Sequence, residues 1–369
     1  MTTRPRLTPA MADVRRAVRE ALDVALPGVK QTARRDPSCV LPGGWVIADD
    51  APLVLVALSG GPDSLALAVA LGFEQGKCGV RAGAVIVDHG LQEDSAEIAE
   101  RAAEQARSAG LNPVVVRRVT VAETGSGPEA DARAARYAAF AEVARETEAT
   151  AVLVGHTLDD QAETVMLGLA RGSGARSLAG MRLVTPHETK GSAAPGVTIV
   201  RPLLGLRRTI VAQSLADQGI AAWHDPHNSD PAYARVRVRT AVLPLLEKEL
   251  GPGVADALAR TAAQLTDDAD YLDALAAGTV TSAVTSAGII STEILAPLHP
   301  AIRVRCLRLW LSRELELTQL SAAHLAAVDE LVTAWHGQAA VDLPGGSVFR
   351  SENALKTRRN PVAEPSFGV

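Results

Sequence analysis

The apolar run Leu53-Val54-Leu55-Val56-Ala57-Leu58 stops at Ser59-Gly60-Gly61-Pro62-Asp63-Ser64 and gives way to Leu65-Ala66-Leu67-Ala68-Val69-Ala70-Leu71. A short β-branched run between Pro52 and a glycine pair predicts a buried parallel strand, and the segment after it predicts a helix packed on that strand. The glycines therefore sit where a strand turns sharply into a helix. There the first amides lack intrahelical partners and the helix end is positive, which makes an anion site. Glycine lets backbone approach a phosphate closely, and Ser59 and Ser64 add hydroxyl donors. Asp63 is the odd member. A carboxylate beside a polyphosphate is repelled unless a cation lies between them, so it predicts bound Mg²⁺ or a role outside phosphate binding. The plain alternative is an ordinary glycine turn, and the segment lacks both the Walker lysine and GxGxxG spacing.

From residue 53 onward strands and helices alternate. Predicted strands at 53–58, 82–87, 112–116, 150–156 and 197–203 are separated by helices near 65–71, 93–110, 129–147 and 159–170. This alternation predicts an α/β fold with a doubly wound, parallel, five-stranded sheet, whose ligands bind at the carboxyl ends of the strands. Pro186 to Gly196 is expected to be a polar surface loop. After Pro252 the pattern turns helical (254–277, 300–315 and 321–336), with a hairpin over 340–355 turning at Pro344-Gly345-Gly346. The expected organisation is an N-terminal helix and loop (1–50), a nucleotide-binding catalytic domain (51–250) and a smaller, mainly helical C-terminal domain (251–369).

Each remaining polar motif falls at a strand's carboxyl end or on the next helix. Asp88-His89-Gly90-Leu91 ends the second strand and can contact a nucleoside or serve as turn residues. Gly155-His156-Thr157-Leu158-Asp159-Asp160-Gln161-Ala162-Glu163-Thr164 places three carboxylates within one helical turn, so Asp159 or Asp160 shares a face with Glu163. Such like charges repel unless a metal ion or an amine lies between them. Helix capping by Asp159, with Glu163 in the first turn, accounts for only part of the set. Arg133 and Arg136 lie one turn apart in Ala132-Arg133-Ala134-Ala135-Arg136-Tyr137, suited equally to a phosphate clamp and to a solvated face. Residues 201–239 hold Arg201, Arg207, Arg208, Arg235, Arg237 and Arg239 against three aspartates. In an extended segment Arg235, Arg237 and Arg239 would share one side. This is a phosphate-binding candidate, with an ion-paired junction as the alternative.

The chain's net charge of −5 shows that nucleic-acid binding would need a local basic face. Aromatic content of 3% argues against recognition by many stacking platforms. Cys39, Cys78 and Cys306 are widely spaced, which fits a reducing cytoplasm and gives no zinc or iron–sulfur pattern. Neither a signal peptide nor a membrane-spanning run is evident.

The hexapeptide resembles the PP-loop, SGGxDS, of ATP pyrophosphatases. Together with DHGL, ARAARY, GHTLDDQAET, Arg171-Gly172-Ser173-Gly174, Leu178-Ala179-Gly180-Met181 and Arg201-Pro202-Leu203-Leu204, it resembles the tRNA(Ile)-lysidine synthases over residues 53–240. The resemblance implies an ATP-dependent carbon–nitrogen ligase that joins L-lysine to C2 of the wobble cytidine in a CAU anticodon, changing a methionine-type tRNA into an isoleucine one. It implies ATP binding by Ser59, Gly60, Gly61, Pro62, Asp63, Ser64, Asp88 and His89. Catalytic roles would fall to Asp63, Arg136 and Asp160. Asp159, Asp160 and Glu163 would hold lysine or a metal, with Mg²⁺ on Asp63 and Asp160. Arg201, Arg207, Arg208, Arg235, Arg237 and Arg239 would contact tRNA, helped by Lys356, Arg358 and Arg359. A homodimer is left open. Two positions depart from the family's usual residues: His227 replaces serine and Val236 replaces asparagine. A PP-loop enzyme of the tRNA 2-thiolation type and a non-catalytic nucleotide sensor are the alternatives.

Overall fold

The computed structural model describes residues 6–29, 34–35, 45–90, 94–122, 124–125, 127–172, 174–187, 196–223, 230–316 and 320–360. Leu91, Ser173, Cys39 and the stretch 225–229, with His227, lie outside the described residues. The chain divides into two compact units, Met1–Ala263 and Gln264–Val369.

The first unit is built on a six-stranded sheet. Its strands are β1 (Leu53–Ala57), β2 (Arg81–Asp88), β3 (Val114–Arg118), β4 (Ala149–Leu153), β5 (Val184–His187) and β6 (Val197–Val200), in the order β3-β2-β1-β4-β6-β5. Five run parallel, so the doubly wound α/β class stands. The sixth corrects the expected strand count. β5 pairs antiparallel with β6, Val184 opposite Val200 and His187 opposite Val197, partly within the stretch expected to be loop. Pro186 disguises it in the sequence, but an edge strand tolerates proline because one side of its ladder is unpaired.

Side-chain alternation divides the core in two. Val54 and Val56 of β1, Ala82, Ala84 and Ile86 of β2 and Leu153 of β4 pack against four helices. These are α1 (Pro9–Ala25), α2 (Pro62–Cys78), α3 (Ser95–Ser108) and, further along the chain, Arg208–Ala216. Leu53, Leu55, Val85 and Val152 face the other way, onto Tyr137, Phe140 and Val143 of α4 (Pro128–Glu146). The helix after β4, α5 (Leu158–Ala170), packs Leu158 and Ala162 against Leu243 and Ala255. The strand order reverses between the parallel β1 and β4, and the crevice at their carboxyl ends is where such sheets bind ligands.

The second unit is less helical than expected. Around Trp310, Leu311 and Val328 its core includes Ile290, Val348 and Leu355 from a four-stranded antiparallel sheet. The expected hairpin is a three-stranded meander, Val341–Leu343, Gly346–Ser351 and Ala354–Arg359, joined at its edge by Ile290–Ser291. No described helix is long and apolar enough to cross a membrane.

Gly83 of β2 shows how closely the sheet is packed. A Cβ there would meet the Pro113 carbonyl oxygen at 2.6 Å and Leu55 Cδ2 at 2.8 Å. Gly83→Ala should cost about 1–3 kcal/mol, read as a lower urea midpoint for the first unit's transition with an unchanged slope.

Candidate active site

The turn after β1 is shaped as its sequence predicts. Gly60 has φ +80°, a left-handed conformation that glycine adopts freely, and its carbonyl accepts the Trp223 amide at 3.0 Å. Gly61 occupies the N-cap of α2 without a side-chain cap, and Pro62 opens the helix. A Cβ on Gly61 would meet only Ser59 Oγ at 3.5 Å, so the space over the helix's first amides is open. The Ser64 hydroxyl donates to the Gly61 carbonyl (3.1 Å) and accepts the Ser59 amide (3.2 Å), which holds the turn in shape. The end of β4 lies directly against it, since a Cβ on Gly155 would sit 3.0 Å from Asp63 C and Ser64 N.

Across the crevice, α5 begins with a capping box that rules out the alternative of Asp159 as the cap. Thr157, not Asp159, is the N-cap, and Asp160 reciprocates by accepting the Thr157 amide at 2.7 Å. The other Asp160 oxygen accepts Arg208 Nη2 at 2.8 Å. Asp159 accepts the Arg208 amide at 2.7 Å and pairs with Arg207 at 3.3 Å. Glu163, fully buried, accepts Arg239 Nε at 2.8 Å and pairs with Arg208 at 3.4 Å and Arg235 at 3.7 Å. Arg208 Nε also reaches Asp63 Oδ2 at 3.3 Å, tying the PP-loop to the acidic helix.

Residues 234–242 are therefore not extended. They form one α-turn, Ala234–Arg237, continued by a π-helical turn, Val238–Val242. Helical spacing sends Arg235 and Arg239 to Glu163, while the exposed Arg237 donates to the Pro231 and Ala232 carbonyls. The expected grouping of six arginines divides accordingly. Arg207 also meets Asp256 at 2.8 Å, and Arg201 is buried at 5% exposure with its Nη1 on the Arg182 carbonyl and Thr185 hydroxyl. Asp88 accepts the Gly90 amide at 2.9 Å, and neighbouring His89 has its pKa lowered, by burial first and then by Arg136. Cys78 and Cys306 are buried, and neither belongs to this crevice. Nothing in the sequence singled out Arg208 and Arg239 as partners of the acidic helix, because the contacts span 45 and 76 residues of chain.

Burial pushes the Asp63 carboxyl up to about 6, with Arg208 opposing and Asp160 reinforcing the rise. Burial also disfavours ionised Asp160, but Arg208 and the Thr157 hydrogen bonds prevail and hold its pKa below the ordinary value. Asp63 Oδ1 is buried with no hydrogen-bond partner. A hard cation fits that oxygen when substrate phosphates and water complete its shell. Among the described residues, no group of three or more His, Cys, Asp or Glu side chains could hold a metal alone.

A strand–PP-loop–helix junction facing an acidic helix across the switch point defines an ATP pyrophosphatase of the PP-loop class. A family profile described as "PP-loop domain" matches residues 44–246, and one described as "TilS substrate binding domain" matches residues 291–355. The tRNA(Ile)-lysidine synthase of Leifsonia xyli is 53% identical, over 82% of this chain and 89% of its own. Those of Thermobifida fusca (49%; 91% and 94%) and Streptomyces coelicolor (46%; 93% and 96%) are similar over still more of the chain. The chain belongs to the tRNA(Ile)-lysidine synthase family. In fold it is also similar to the U34-tRNA thiolase NcsA from Methanococcus maripaludis with its [4Fe-4S] cluster (TM-score 0.50, 18% identity, 70% of this chain and 80% of that one).

The raised Asp63 pKa has a sign that can be tested. A carboxyl shifted from 3.8 to about 6 on folding favours the folded state while protonated. That contribution is complete below the unfolded value and lost as pH rises through the folded one, up to about 3 kcal/mol. Asp63→Asn stays neutral, so its stability advantage over the ligand-free parent should grow between about pH 4 and pH 6 and then level off. An advantage that shrinks over that range would show the Arg208 pair outweighing burial.

Proposed function

We infer that this enzyme uses ATP to join lysine to C2 of the wobble cytidine in an isoleucine tRNA with a CAU anticodon. The observation that carries this reading is the open, uncapped PP-loop facing Asp160 and Glu163 across the switch point, in a chain that belongs to the lysidine synthases. The carbonyl oxygen at cytosine C2 is a poor leaving group. Its attack on the α-phosphorus of ATP expels pyrophosphate and gives an O-adenylated cytidine; an amine of lysine then adds at C2, loses a proton, and expels AMP.

The PP-loop amides, with Ser59 and Ser64, hold the phosphates, and Asp88 and His89 lie at the neighbouring strand end for the nucleoside. Asp63 would hold Mg²⁺ through Oδ1, and the ion would neutralise phosphate charge. Arg136, on α4, is assigned to the charge that develops during adenylation. Asp160 and Glu163 receive an ammonium of lysine. Arg208 and Arg239 pair with them, so an incoming ammonium competes with these guanidiniums. Among the arginines near residue 235, the exposure of Arg237 supports its assignment to a tRNA phosphate, and Lys356 and Arg358 are assigned likewise in the second unit.

Isotopically labelled lysine, ATP and a CAU-anticodon isoleucine tRNA should give a wobble nucleotide heavier by one labelled lysine less water, seen by mass spectrometry. Absence of the label would refute the assignment. Gly61→Val should abolish lysine-dependent pyrophosphate release without unfolding, because the added methyls enter the open phosphate space rather than the core. Arg237→Ala should lower the salt slope of log tRNA affinity by roughly one unit or slightly less. Arg235→Ala should leave that slope unchanged and weaken lysine use instead.

A further inference from the structure

A second cluster of charged side chains lies on the α4 side of the sheet. Arg201, just past β6, is 5% exposed. Its Nη1 donates to neutral oxygens, the Arg182 carbonyl (2.8 Å) and Thr185 hydroxyl (3.0 Å), it also hydrogen-bonds Tyr137, and its Nε is buried with no partner. Tyr137 packs at a tilt against His187, 5.0 Å between ring centroids. Arg133 lies 4.7 Å over the Tyr137 ring and donates to its hydroxyl at 3.1 Å. His156, just past β4, belongs to the same cluster and has a buried, unpartnered Nδ1.

A buried guanidinium is ordinarily matched by a carboxylate, because an uncompensated buried charge is costly. Among the described residues, Arg201 and Arg133 hydrogen-bond to carbonyl and hydroxyl oxygens rather than to carboxylates, and the two cations repel each other. Burial first, then the surrounding arginines, drive His156 down to about 3, so it stays neutral beside them. The arrangement is that of an anion site.

We propose that Arg201, Arg133 and His156 bind the α-carboxylate of the amino-acid substrate, next to the carboxylates that take its α-ammonium. The proposal rests on the lysine-ligating reading above and says how the amino acid is gripped. Two features favour a carboxylate over a phosphate. His156 borders both regions, lying within electrostatic reach of Asp160 on one side and of Arg201 and Arg133 on the other. An α-amino acid carries this same pairing, an ammonium and a carboxylate on one carbon. The unpartnered Nε of the buried Arg201 also suits the side-on grip of guanidinium on carboxylate. Gripped at its α-carbon, the substrate is left with its ε-amine to extend toward the adenylated base.

Competition against labelled lysine tests this in the intact enzyme with ATP and tRNA. Cadaverine, which is lysine without its carboxylate, and L-lysine amide should each compete about tenfold or more weakly than lysine with the parent enzyme. In Arg133→Gln and Arg201→Lys the KM for lysine should rise about tenfold or more, cadaverine should compete as it does with the parent, and the KM for ATP should not move. The preference for lysine over cadaverine would then collapse. Comparison within each variant controls for lost enzyme, and Arg133→Gln stands if Arg201→Lys fails to fold. An undiminished preference in Arg133→Gln, or a defect confined to ATP or tRNA affinity, overturns the proposal and assigns the cluster to a phosphate. Failure of the parent to incorporate lysine at all would instead refute the function on which the proposal rests.

Discussion

Glu163 is a carboxylate with no access to water, and the architecture of the catalytic unit turns on how it is tolerated. A buried charge survives only when it is paired and hydrogen-bonded. Here the pairing comes from Arg208 on one helix and from Arg235 and Arg239 on the turns that follow Tyr233. Arg208 extends the network to Asp63 of the PP-loop and to Asp160. One guanidinium therefore connects the phosphate turn, the acidic helix and the segment opening at Arg208. Coulomb attraction alone would not hold this together in water; burial makes each contact strong and each missing partner costly.

The sheet explains why these groups meet. β1 and β4 lie side by side although β2, β3 and their helices intervene in sequence. Their carboxyl ends bring Asp63 and Gly155 into backbone contact, a proximity that only glycine permits there. α5 then starts one residue after its Thr157 cap and presents Asp160 and Glu163 to the same crevice. The two sides of the sheet divide the labour: α2 and Arg208 on one side, α4 with Arg133 and Tyr137 on the other.

Much of this was legible in the sequence. The β-branched run before Ser59 and the glycine pair after it specify a strand, a turn and an uncapped helix, because those preferences are local. The doubly wound class followed from the alternation of such segments. β5 was hidden because Pro186 and His187 carry no strand signal, and its existence depends on the edge that β6 offers. The strands of the second unit beyond the hairpin were missed for a related reason, since Ile290–Ser291 is strand only by virtue of its partner. The acidic motif was recognised, but its neutralisation by arginines was not. Arg235 and Arg239 read as one side of an extended segment, whereas tertiary packing made that segment helical and turned both toward Glu163. The buried state of Arg201 has no sequence signature, since an arginine after a β-branched strand reads equally well as a surface cation.

The contact between Asp63 and Arg208 closes a loop of 145 residues. Contacts this distant in sequence form late, because chain entropy is spent before they contribute. During synthesis the phosphate turn leaves the ribosome well before its arginine. The crevice is thus closed only when the segment carrying Arg208 has joined the sheet, so its two halves are made in one order and joined in another.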